Sequence, residues 1–169
     1  MKIPGTSQAQ VTAQWIGGFS GNGSVKGDDF STGISLPSDF GGRNEGATPE
    51  DLLLSALASC YLITFGIILE KNNVSYSDLR ITATLETSTA FPPKVQTVCL
   101  NPMITTDADE AMIRGFAERA EAVCLISQAV AGNVIKKVSV KVLPEESETH
   151  APLLATDWLF GEKPNMNIL

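Results

Sequence analysis

The spacing of hydrophobic and polar positions changes period several times along the chain, and each change marks an element. Residues 10 to 36 alternate short apolar pieces with turn residues, in "QVTAQWIGG", "SGNGSVKG" and "FSTGISLP". Such alternation predicts half-buried strands, and Gly21-Asn22-Gly23 is a hairpin signal between two of them, so an antiparallel N-terminal sheet is expected. Residues 37 to 47, "PSDFGGRNEGA", read as a loop. The next stretch, "TPEDLLLSALASCYLITFGIILEKNN", opens like a helix: Thr48 is a capping residue, Pro49 suits the first helical position, and Glu50 and Asp51 suit the positive end of the dipole. Apolar residues then continue on every side through Ile68, which predicts a helix through the middle of the molecule.

From Leu79 to Leu85 and from Lys94 to Leu100 the period returns to two, with "TSTAFPP" in a gap that suits an antiparallel pair. A second helical region, opened by Thr106, carries an apolar stripe through Met112, Phe116 and Ala120; the pattern loosens around "CLISQ". A closing strand follows, with Val138, Val140 and Val142 on one face. Strands, helix, strands, helix and strand in that order make an α+β chain. Residues 1–143 form one domain in this reading, and residues 144–169 an arm that begins acidic and ends in Leu159, Phe160, Met166 and Ile168, packing on its own domain or on a partner subunit.

Composition narrows the function classes. With 43% hydrophobic and 18% charged residues the chain can bury a core. Its 19 acidic against 12 basic residues, net charge -7, give no basic field for phosphate backbones, so nucleic acid is not an expected partner. Leu52 to Leu69 is the most apolar stretch, but it contains Ser55, Ser59, Cys60 and Thr64 and lacks a basic flank before it; it reads as a buried helix and not as a membrane span. Three cysteines without close spacing argue for a reducing cytoplasm rather than a disulfide scaffold, and one histidine, His150, leaves almost no material for a zinc site or a Cys-His dyad.

Cysteine is among the most buried residue types, so Cys60 and Cys124, each on an apolar helical stretch, are packing residues when taken singly, and Cys99 simply obeys its strand's alternation. A reactive thiol must be ionised, which asks for a cation or donors beside it. Arg43, in the glycine-flanked loop "GGRNEG", is the first candidate cation, and Lys26 the second. Glu50 is a natural partner for an arginine. It stands about 15 Å from Cys60 along the same helix and roughly 80° round it, so Glu50 would serve a thiol reached by another element or by a second subunit.

Taken together, "GATPEDLLLSALASCYL", "AERAEAVCLISQAV" with its cysteine 64 positions after the first, and the closing strand resemble the OsmC/Ohr family of small thiol peroxidases, with its "NPEEL" helix and later "CPVS". The likeness spans about residues 10 to 143. It implies highly curved antiparallel sheets around a long buried central helix in an intertwined homodimer, with sites at the subunit interface. It further implies that Cys60 attacks organic hydroperoxides and becomes a sulfenic acid, that Cys124 resolves it as a disulfide, and that Arg43 and Glu50 support the thiolate. The resemblance also implies that no cofactor is bound and that the reductant is an external dithiol, in several members a lipoylated protein. Two departures stand out: the N-terminal strands carry no arginine, and Leu125 replaces the proline after the second cysteine. They keep open a non-catalytic dimer that binds an apolar ligand, or a redox sensor.

Overall fold

The computed structural model describes residues 8–145, so the arm and His150 lie outside the described residues. At the N-terminus, strands β1 (Thr12–Ile16), β2 (Asn22–Lys26) and β3 (Ser31–Ser35) pair antiparallel in the order β1-β2-β3, as the alternation predicts. The first turn falls earlier than expected. Gly17 takes φ 98°, and the Gly21 N–H donates to the Gly18 carbonyl at 2.9 Å. The Gly17-Gly18 pair supplies the left-handed position first, so Asn22 and Gly23 belong to β2. There Gly23 lets the Trp15 ring lie close, since a Cβ would meet the Gln14 carbonyl oxygen at 2.1 Å.

Loop residues 36–48 then turn back beside β3, where the Ala47 N–H donates to the Gly33 carbonyl at 2.9 Å. They deliver the chain to α1 (Pro49–Lys71). Its start is as the sequence predicts: the Thr48 hydroxyl accepts from the Asp51 N–H at 3.1 Å, while the Asp51 carboxylate accepts from the Thr48 N–H at 2.9 Å. Leu57, Tyr61, Phe65, Ile68 and Leu69 form the buried stripe of α1. The opposite side is open in the single chain: Ser55, Ser59, Ile63 and Ile67 are exposed, Ile63 by 64%. By length and apolar content α1 would suffice to cross a bilayer, but here its stripe packs into a core shared with a sheet and two other helices.

That sheet contains β4 (Asp78–Thr87), β5 (Val95–Thr105), β6 (Ile135–Val138) and β7 (Lys141–Leu143). β4 and β5 are antiparallel; β6 and β7 run parallel to β5, one after the other along it. β5 passes straight through Pro102, where the sequence reading stopped at Leu100. Proline has no N–H for a ladder, and Pro102 falls in the gap between the β6 pairs, which end at Leu100, and the β7 pairs, which begin at Met103. The expected single closing strand is therefore two, broken at Ser139-Val140.

Two helices connect β5 to β6: α2 (Glu110–Val123) and the short α3 (Leu125–Ala129). The cap of α2 is Asp109, not Thr106, whose hydroxyl is committed to the Ser75 carbonyl at 2.7 Å. Of the expected stripe Ala120 faces the core, joined by Ile113 and Ala117, while Phe116 is half-buried and Met112 is 41% exposed. These side chains, Val98, Leu100 and Ile104 of β5 and the α1 stripe make the core, at about 1.5–3 kcal/mol for each large residue removed from water.

Candidate active site

Cys60 lies beside the buried stripe of α1, three residues after Leu57 and one before Tyr61, and is half-buried. Its element meets the corner between α2 and α3, where Cys124 is at once the C-cap of one helix and the N-cap of the next. Cys124 has an extended backbone (φ -67°, ψ 120°) and a fully buried side chain. Because the chain bends there, the Cys124 thiol and the first free N–H groups of α3, those of Leu125 and Ile126, come up against the Cys60 sulfur.

Burial pushes the Cys60 thiol up. The Ile126 N–H, the Cys124 thiol, the Leu125 N–H and the Thr64 hydroxyl outweigh it, and the net shift is downward from the ordinary value. Thr64 is the least of these donors, since its one proton is already given to the Cys60 carbonyl at 2.7 Å. Among the described residues no donor makes a close, aligned hydrogen bond to the Cys60 thiol. Neither cysteine is disulfide-bonded in this structure.

Tyr61, the neighbour of Cys60, is fully buried, and its phenol donates to the Ala117 carbonyl at 3.1 Å. Burial, then the charges of Glu121 and Cys124, push its ionisation well above the usual tyrosine value. Tyr61 is therefore a neutral hydrogen-bonding wall of the site. Cys99 stays apart on β5, opposite Thr84 and Lys137.

The charged residues expected from the sequence are not brought to the thiols by one chain. Arg43 faces Glu45 at 3.8 Å, both more than half exposed, a surface pair of little energetic weight. Glu50 is exposed in the first turn of α1 and makes no ion pair among the described residues; the unbroken helix keeps it about 15 Å from Cys60 along the axis. Lys26 ends β2, exposed. Sequence reasoning missed the donors that do reach Cys60, the N–H groups of Leu125 and Ile126. The signal was present in the loosened period at "CLISQ", which marks the helix break that frees them.

An open apolar groove of about 420 Å³ lies elsewhere, between the N-terminal sheet and the start of α1, lined by Trp15, Phe19, Ile34, Leu36 and Pro49. Among the described residues no cluster of three or more His, Cys, Asp or Glu could hold a metal ion.

A sequence model of the OsmC-like protein family matches residues 42–139, more than half of the chain. The uncharacterized protein YmaD of Bacillus subtilis is 29% identical over 138 residues, which are 78% of this chain and 92% of that protein. An organic hydroperoxide resistance protein-like 1 of Staphylococcus saprophyticus is 25% identical over 72% of this chain and 89% of its own length. The crystal structure of the organic hydroperoxide resistance protein OhrB of Bacillus subtilis superposes with a TM-score of 0.64 at 25% identity, covering 80% of this chain and 98% of that one.

Proposed function

The chain belongs to the OsmC-like family, and on that premise we propose that it is a thiol-dependent peroxidase for organic hydroperoxides. The observation that carries this reading is the meeting of Cys60 and Cys124 at a helix corner that lowers the Cys60 thiol. The Cys60 thiolate attacks the outer peroxide oxygen: an S–O bond forms, the O–O bond breaks, and the departing alkoxide takes a proton to become an alcohol. Cys60 is then a sulfenic acid. The Cys124 sulfur attacks it, the S–S bond forms, and hydroxide leaves as water with the proton from Cys124. A dithiol from outside, such as a lipoylated protein in a reducing cytoplasm, returns both thiols, so no bound cofactor is required.

The same reading takes the active form to be a homodimer. The exposed side of α1 and the apolar groove at its start are surfaces that a second copy would cover, and a site shared between copies would bring a partner's loop and helix cap, with Arg43 and Glu50, toward Cys60. The apolar surroundings suit an alkyl hydroperoxide.

The reduced protein should consume cumene hydroperoxide in the presence of a dithiol, and Cys60→Ser should abolish that consumption. Unchanged consumption by this variant would sink the proposal. A second reading, a redox sensor or binder without turnover, draws on the distance between the apolar groove and the thiols and on the pairing of Arg43 with Glu45. Mass spectrometry after one equivalent of peroxide separates them: a Cys60–Cys124 disulfide without sustained consumption identifies the sensor, and no oxidation of Cys60 identifies the binder.

A further inference from the structure

Lys136 of β6 is a charged side chain in an unusual place, only 13% exposed. Its ammonium pairs with Glu121, in the last turn of α2, and donates to the Ser127 carbonyl of α3 at 2.9 Å. Glu121 and Ser127 flank Cys124 by three residues on either side, so one ammonium ties together the two helices that meet there. A second tie crosses the same break: the Gln128 Nε2 donates to the Ala122 carbonyl at 2.9 Å. Behind Lys136, β6 is fixed on β5 in register, Val98 opposite Lys136, so the corner is moored to the sheet.

Removing an ammonium and a carboxylate from water costs roughly as much as their attraction returns, so such a pair adds little net stability and chiefly selects one geometry. What it selects here is the position of Cys124 and of the Leu125 and Ile126 N–H groups. We infer that Lys136 is a positioning residue for the thiol pair, holding the α2–α3 corner against Cys60. The inference rests on the reading of Cys60 as the reacting thiol. The titratable and charged groups packed around the pair are Tyr61 on α1, Glu121 on α2, Cys124 at the corner and Lys136 on β6. Lys136 acts through the backbone it holds, and not by its charge on the sulfur.

The test is the alkylation rate of Cys60 by iodoacetamide against pH in the full-length reduced protein, read on the Cys60 peptide by mass spectrometry. Lys136→Met should move the midpoint upward and slow alkylation at pH 7 by about tenfold, one unit of thiol pKa. Lys136→Arg, which keeps charge and donors, should recover most of the rate. The difference should persist at about 1 M salt, where a charge effect carried through solvent would fade. A folded Lys136→Met protein with an unchanged midpoint overturns the inference, as does an effect that salt removes. Should Lys136→Met fail to fold, Glu121→Gln carries the test: a smaller upward shift supports the inference, and none overturns it. Alkylation needs no peroxide turnover, so failure here is distinct from failure of the peroxidase reading.

Discussion

Two regions that the sequence joins in one candidate site behave differently in the single chain. The cysteine corner is complete by itself: α1 presents Cys60, the α2–α3 break presents Cys124 and two backbone donors, and the core behind them is closed. The loop-and-cap region, with Arg43, Glu45 and Glu50, is open to solvent, beside a sheet whose β1 residues are all exposed. The difference teaches where each part draws its geometry. The groups that tune the thiol, two backbone N–H groups and the Cys124 and Thr64 side chains, are all fixed by packing inside one chain. A long charged side chain in a glycine-rich loop has no such support in the single chain.

The strongest way to break this contrast is to charge the open face of α1. Ile63→Glu places a carboxylate on a residue that is 64% exposed in the single chain, so a lone chain should fold with stability changed by no more than about 0.5 kcal/mol. If a second copy covers that face, the variant should run as a monomer in analytical ultracentrifugation and lose about a hundredfold in peroxide turnover, the scale of a misplaced catalytic group. Cys60 alkylation, measured at about 1 M salt to screen the new carboxylate one helical turn away, should stay within about twofold of the parent, because the corner is built inside one chain. A dimer of full activity would remove the contrast.

Next in size is the charge in the open region. Glu50→Gln and Arg43→Met should each lower turnover of cumene hydroperoxide by about tenfold, some 1.4 kcal/mol of transition-state stabilisation, with thermal unfolding nearly unchanged. Steady-state kinetics and a melting curve on the same samples check both halves. Parent-like turnover in Arg43→Met would assign its loop to the surface alone and leave the corner as the whole of the thiol's support.

How much was readable beforehand follows the same division. The start of α1 was legible because Thr48, Pro49 and Asp51 act within one turn, and a cap is local chemistry. The β4–β5 pair was legible from its period of two, yet its length was not: Pro102 looks like a strand end unless one knows that β6 and β7 leave a gap opposite it. The start of α2 was placed early because Thr106 resembles a cap, and only the tertiary structure shows its hydroxyl engaged by Ser75. At the site, Cys60 and Cys124 were found as a pair by resemblance to a family. The Leu125 and Ile126 donors were not, since a backbone N–H leaves no side-chain signature, and Lys136 was passed over although it falls on the same strand face as Val138, Val140 and Val142.

The smallest expected effect tests the closed region through Tyr61. Its phenol stays protonated in the fold well above the ordinary tyrosine value, mainly through burial and then through Glu121 and Cys124. In the unfolded chain it ionises near pH 10. Below that pH both states hold the proton, and the contribution of Tyr61 to stability is full. Above it the unfolded state loses the proton while the folded state keeps it, so stability falls as pH rises, by up to about 1.4 kcal/mol per pH unit. Tyr61→Phe should therefore be less stable than the parent at pH 8, by about 1 kcal/mol for the lost bond to the Ala117 carbonyl. It should lose stability less steeply between pH 10 and 11. Urea unfolding of the reduced proteins across that range gives both numbers. Parallel alkaline limbs would mean that water reaches the phenol, and the corner could then no longer be treated as closed within one chain.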